Sequence, residues 1–159
     1  MSALRVLLAA LAFAGEGSVS ATDLAMEASC PGKFPIHGLG NVSLVPTGWK
    51  GGEDNLTFAQ LRDGVIVPPR GSRSYFASAC TEGAYDNKQY LALDLRGKTL
   101  KYTTDLSTAG CGCNAALYLT SMHQNERPSE CGDYYCDANN VCGESCAEID
   151  IQEGNRFSW

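Results

Sequence analysis

Glu148-Ile149-Asp150-Ile151-Gln152-Glu153 reads as a β-strand that carries three carboxylates in six residues. Side chains two apart on a pleated strand share a face, so Glu148 and Asp150 point one way and Ile149 and Ile151 the other, toward a core. Glu153 falls one step out of phase. A single β-bulge between Asp150 and Glu153 returns it to the acidic face, and bulges recur beside active sites. The bulged strand then holds two glutamates with an aspartate between them. Cleavage of a glycosidic bond uses such a set, one carboxyl to donate a proton and another to attack or to activate water. The same spacing also describes a half-exposed strand whose outer face is simply acidic.

Working back along the chain, Ala115 to Met122 predicts a second strand, entered through Gly110-Cys111-Gly112-Cys113-Asn114. Leu91, Leu93 and Leu95 alternate with other residues, as do Leu100, Tyr102 and Thr104. With Arg96-Gly97-Lys98 as a turn, residues 90–105 predict a β-hairpin. Val65-Ile66-Val67 predicts a short strand ended by Pro68-Pro69. Leu56 to Arg62 fits a helical turn or a strand equally, and the rest of residues 30–75 shows little periodicity. Helical periodicity is scarce throughout, so the expected class is all-β, an antiparallel β-sandwich or jelly roll.

The N-terminus has a different character. Arg5 supplies one positive charge, Val6 to Ala14 is apolar, and Val19-Ser20-Ala21 suits a small-residue cleavage site. That pattern predicts a secretory signal peptide over residues 1–21 and an exported domain over residues 22–159. All eight cysteines lie in the second part, and an even number in an exported chain implies disulfides, although 105 pairings are open to them. Asn41-Val42-Ser43 and Asn55-Leu56-Thr57 are possible N-glycosylation sites.

The net charge of −6, without a basic stripe, argues against nucleic acid or an anionic membrane as partner and suits a neutral polysaccharide. No cofactor or metal is expected. Cys131, Cys136, Cys142 and Cys146 lack the paired spacing of a zinc site, and Asp137, Asn139 and Glu148 fail a calcium loop at its glycine position. Cys111 and Cys113 read as two half-cystines in a tight loop. Asp133-Tyr134-Tyr135 places aromatic rings that either stack on sugar or pack against the disulfides.

Three segments, in order, resemble glycoside hydrolase family 7, the family of cellobiohydrolases and β-1,4-endoglucanases. Cys111-Gly112-Cys113-Asn114-Ala115-Ala116-Leu117-Tyr118-Leu119-Thr120-Ser121-Met122 is similar to that family's "CGLNGALYFVSM" strand. Tyr135-Cys136-Asp137-Ala138 resembles its "GYCDAQC", and Cys146-Ala147-Glu148-Ile149-Asp150-Ile151-Gln152-Glu153-Gly154-Asn155 its catalytic "CSEMDIWEAN". The resemblance implies a concanavalin-like jelly roll and retaining hydrolysis of a β-1,4-glucan by a secreted enzyme, monomeric when complete. Glu148 would be the nucleophile, Glu153 the general acid/base and Asp150 the acid that supports the nucleophile, with Asn114 a candidate for substrate contact. Gln152 stands where the family has tryptophan, Gly154 where it has alanine and Cys113 where it has leucine. Family members also run on for hundreds of residues beyond the point matching Trp159, so the expectation is an incomplete, N-terminal portion, inactive alone if the cleft is missing. A laminarinase-like β-1,3-glucanase and a non-catalytic glycan-binding secreted protein are the alternatives.

Overall fold

The structure is a computed structural model that describes residues 7–10, 29–48 and 58–159. Among these residues the strands are β1 (Leu7–Ala10), β2 (Lys33–Ile36), β3 (Gly40–Gly48), β4 (Gln60–Arg62), β5 (Val65–Val67), β6 (Ser72–Ala77), β7 (Ala115–Thr120) and β8 (Glu148–Gly154). A 3-10 turn over Met122–Gln124 is the one helical element among them. Six strands form an antiparallel sheet in the order β2-β3-β6-β1-β7-β8, while β4 and β5 form a separate hairpin. The class is all-β, as expected. Residues 30–75 nevertheless contain strands that periodicity does not reveal. The turn between β4 and β5 has positive φ at both Asp63 and Gly64, the Asp-Gly geometry whose twist matches flanking strands.

The sheet has two apolar faces. On one, Phe34, Val42, Leu44, Phe76, Leu117 and Leu119 form a core, and Leu61 and Ile66 of the β4–β5 hairpin pack on it. The second layer of the sandwich is thus the hairpin together with Leu91, Leu93, Leu95 and Leu100. On the other face Val45, Tyr75, Tyr90 and Met122 meet Cys131, Tyr135, Cys136 and Cys142 of the segment that joins β7 to β8. That segment covers the middle of the sheet and leaves the β7–β8 end of the same face open to solvent.

The hairpin predicted over 90–105 is not formed as a ladder. The turn is present, with the Lys98 N–H donating to Leu95 O at 3.0 Å, but the two arms do not pair. Instead Tyr90 bridges Ala77, and the Leu91 N–H donates to Phe76 O at 2.8 Å, so the first arm is tied to the end of β6. The alternating leucines are explained by burial onto the sheet rather than by pairing with one another.

Three disulfides join Cys30 to Cys80, Cys131 to Cys142 and Cys136 to Cys146. The last two use all four thiols of the cluster, so it is a pair of covalent staples. Cys111 and Cys113 are free, contrary to their reading as half-cystines: the other six cysteines pair among themselves, and these two are not joined to each other. Of the segment read as a leader, Leu7–Ala10 is described: its backbone lies between β6 and β7, with Ala9 opposite both Tyr75 and Tyr118. The rest of residues 1–21 and the sequon at Asn55 lie outside the described residues, while Asn41 is exposed on β3.

Candidate active site

The acidic strand is β8, paired antiparallel with β7. Glu148 lies opposite Thr120, Asp150 opposite Tyr118 and Glu153 opposite Ala116. Between Tyr118 and Leu117 the register slips, because both Ile151 and Gln152 stand where one residue would suffice. This is the bulge that the phase of the carboxylates requires. It returns Glu153 to the face of Glu148 and Asp150, and it sends Ile151 and Gln152 to the opposite, apolar face. Ile151 packs against the Leu117 and Leu119 core, and Gln152 is buried, its Nε2 donating to Ala115 O at 3.0 Å.

Each glutamate has its own partners. Glu148 Oε2 accepts the Ala138 N–H at 3.0 Å. Ala138 is held there by the Cys136–Cys146 staple and by the bridge between Asp137 and Ser145. At the far end of the strand, Glu153 Oε1 accepts from Asn114 Nδ2 at 2.9 Å and from the Tyr118 hydroxyl. Asn114 also takes the Gly154 N–H on its Oδ1 at 3.0 Å, so one side chain bridges the backbone and the carboxylate of β8. The glycine at 154 has a local reason as well: a Cβ there would lie 3.0 Å from Ser158 O.

Partial burial raises Glu148 above the ordinary carboxylate range. The Ala138 N–H opposes that rise, and the charges of Asp150, Asp137 and Glu153 add to it. Asp150 is raised by burial and then by Glu153 and Asp137. Tyr118 stays well above the ordinary phenol range, through burial, its bond to Glu153 and the neighbouring carboxylates.

Beside this open end the same face carries a buried ionic network. Arg73 Nη2 and the Tyr75 hydroxyl both donate to Asp133 Oδ2 at 2.6 Å, and the Tyr135 N–H donates to Asp133 Oδ1 at 2.9 Å. The Arg73 guanidinium lies 4.2 Å from the Tyr135 ring centroid. Burial works against the charge on Arg73, but Asp133 together with Tyr75 and Tyr135 outweighs it and holds the guanidinium above its usual range. Tyr135 and Asp133 are therefore interior groups, and of that acidic-aromatic triplet Tyr134 alone is only partly buried. Asp137 accepts the Val141 N–H at 3.0 Å and shapes its own loop.

The structure thus brings together Glu148, Asp150, Glu153 and Asn114. It adds two groups that the sequence reading did not single out, Tyr118 and the Ala138 N–H. Tyr118 had a visible signal: it sits on β7 in phase with the bulged face.

Fold and site define an all-β, disulfide-stapled protein with a carboxylate cluster on the open end of one sheet face. The chain belongs to glycosyl hydrolase family 7, whose family model matches residues 46–141. The matched stretch includes β7 and stops short of β8. Among curated proteins the chain is similar to endoglucanase type C of Fusarium oxysporum, at 28% identity over 86% of this chain and 35% of that protein. It is 32% identical to endo-beta-1,4-glucanase celB of Aspergillus oryzae over 64% of this chain and 28% of that protein. Endoglucanase EG-1 of Trichoderma longibrachiatum is 34% identical over 42% of this chain and 19% of that protein. The chain therefore spans about a third or less of the length of these relatives. No solved structure matches.

Proposed function

We propose that this chain carries the catalytic strand of a secreted, retaining glycoside hydrolase acting on β-1,4-glucan. The observation that carries the reading is the bulge at Ile151, which aligns Glu148, Asp150 and Glu153 on one solvent-facing side. In the first step Glu148 attacks the anomeric carbon while Glu153 protonates the departing glycosidic oxygen, giving a glycosyl ester on Glu148. In the second, Glu153 takes a proton from water as the water oxygen displaces Glu148 from the same carbon. A retaining pair works at a carboxyl separation of about 5–5.5 Å. Asp150, between the two, stands beside the nucleophile, and its negative charge raises the Glu148 pKa. Residues 1–21 act in this reading as the export leader and residues 22–159 as the exported part of the hydrolase domain.

The test is trapping. The 159-residue chain is incubated with a 2-deoxy-2-fluoro-β-cellobioside bearing a dinitrophenyl leaving group. The expected result is one added fluorocellobiosyl unit, mapped by peptide mass spectrometry to Glu148. Labelling at another residue, or equal labelling of Glu148→Gln, overturns the assignment. A parallel panel of cello-oligosaccharides and laminarin-derived oligosaccharides decides the linkage.

A further inference from the structure

We propose that Tyr118 and Asn114 form a positioning pair for Glu153, and that they fix which of its two oxygens carries the catalytic proton. The inference rests on the acid/base role proposed above and goes further, to the tautomer of that acid.

Both donors converge on Oε1. Asn114 Nδ2 reaches it at 2.9 Å, and the Tyr118 hydroxyl reaches it from the partner strand. The orientation of the Asn114 amide is dictated by its other contact, since only an oxygen accepts the Gly154 N–H. The group facing Glu153 is therefore an NH₂, which can only donate. Tyr118 remains a neutral phenol, because burial, Glu153, Asp150 and Glu148 all oppose its ionisation. Oε1 thus receives two hydrogen bonds, and a proton on it would be set against the Asn114 NH₂, which cannot accept. When Glu153 is protonated, the proton sits on Oε2, and Oε1 serves as the carbonyl-type oxygen.

The local fold explains why these residues hold the position. Asn114 immediately precedes β7, and Tyr118 lies on the face of β7 that looks at Asp150. The bulge offsets Glu153 from Asp150 by one extra residue, and the phenol ring spans that offset along the strand. Two fixed donors confine the carboxyl to one rotation about its last bond. Oε2 is then held toward the open side in the protonated step and in the step that takes the proton back from water. Acid–base groups gain their effect from such placement as much as from their acidity.

Two measurements on the full chain test this. The first needs no turnover: with glutamate labelled at the side-chain carboxyl carbon, the Glu153 resonance is identified by its loss in Glu153→Gln. Tyr118→Phe and Asn114→Ser should each move that resonance, while Tyr102→Phe, at an exposed ring, should not. A Glu153 signal that stays in place in a folded Tyr118→Phe chain overturns the proposal. The second is kinetic, on cello-oligosaccharides. Tyr118→Phe should lower kcat by about tenfold or more, within the range that acid–base placement contributes, and leave KM within about twofold. The double variant Tyr118→Phe with Glu153→Gln should be no slower than Glu153→Gln alone, because the tyrosine acts through the glutamate. Independent, multiplicative losses overturn the positioning role. If Glu153→Gln itself retains full turnover, the acid/base reading fails instead, so the two failures are distinguishable.

Discussion

Asp133 accepts hydrogen bonds from Arg73, Tyr75 and the Tyr135 backbone while fully buried, so its charge is matched on every side that the fold presents. Removing that charge breaks the buried Arg73–Asp133 ion pair. Asp133→Asn should lower the unfolding free energy by about 3–5 kcal/mol, the usual cost of breaking one partner out of a buried pair. Urea unfolding checks it, and a loss below about 1 kcal/mol would show that water reaches the site. Glu148 behaves in the opposite sense. Its folded-state pKa is raised, so the folded chain holds that proton longer than the unfolded chain does. Stability therefore declines as pH rises from the ordinary glutamate value of 4.5 through the raised value, and Asp150 adds a decline of the same sign. Glu148→Gln should raise Tm at pH 7, and the gain should vanish at about pH 3, where the glutamate is protonated in both states. A gain that persists at low pH would assign the effect to packing.

The β7–β8 pair shows what a strand's phase controls. Deleting Ile151 keeps Asp150 opposite Tyr118 and Glu153 opposite Ala116, so the ladder should survive with a loss of about 1 kcal/mol from one partly buried side chain. Inserting one residue after Ile151 instead lets β8 run without a bulge, which keeps Glu153 on the acidic face but carries it past Ala116, away from Tyr118. Cross-strand NOEs between Tyr118 and Glu153 should persist in the first variant and vanish in the second. The bulge was legible in the sequence because three acids out of step, flanked by isoleucines, have only one way to share a face. β5 and β7 were legible from their apolar runs. The β4–β5 hairpin was legible in principle from Asp63-Gly64, whose signal outranks the weak periodicity around it. The residues over 90–105 misled for a physical reason: alternation records which side chains are buried and leaves open whether a neighbouring strand or a sheet face buries them. The Ala138 N–H could not be read at all, since backbone donors carry no sequence signal and this one depends on a disulfide pairing.

At the scale of the molecule, the sheet is held by distant segments. The Cys30–Cys80 link joins the residues before β2 to those after β6, and two further links compact the cover over the central strands. Such cross-links each restrict the unfolded chain by roughly 2–4 kcal/mol. The least redundant part is β1, which is bonded on both edges and separates β2-β3-β6 from β7-β8. A chain beginning at residue 22 lacks β1, so the inner edges of β6 and β7 face each other unpaired. Hydrogen exchange should then quicken at Ser74–Tyr75 and Leu117–Thr120 relative to the 159-residue chain, while the β2–β3 amides keep their protection. Equal protection in both chains would show that another segment fills the gap.

The central place of β1 also sets an order of events. Leu7–Ala10 comes early in the chain, yet its two neighbours in the sheet begin only at Ser72 and Ala115. Pairings between segments so far apart in sequence form slowly, because loop closure precedes any gain from contact. In the proposed reading, the same apolar stretch is also the one that an export pathway engages during that interval. If residues 1–21 act as the proposed leader, insertion of Leu7–Ala10 into the sheet and removal of the leader are mutually exclusive fates of the same few residues.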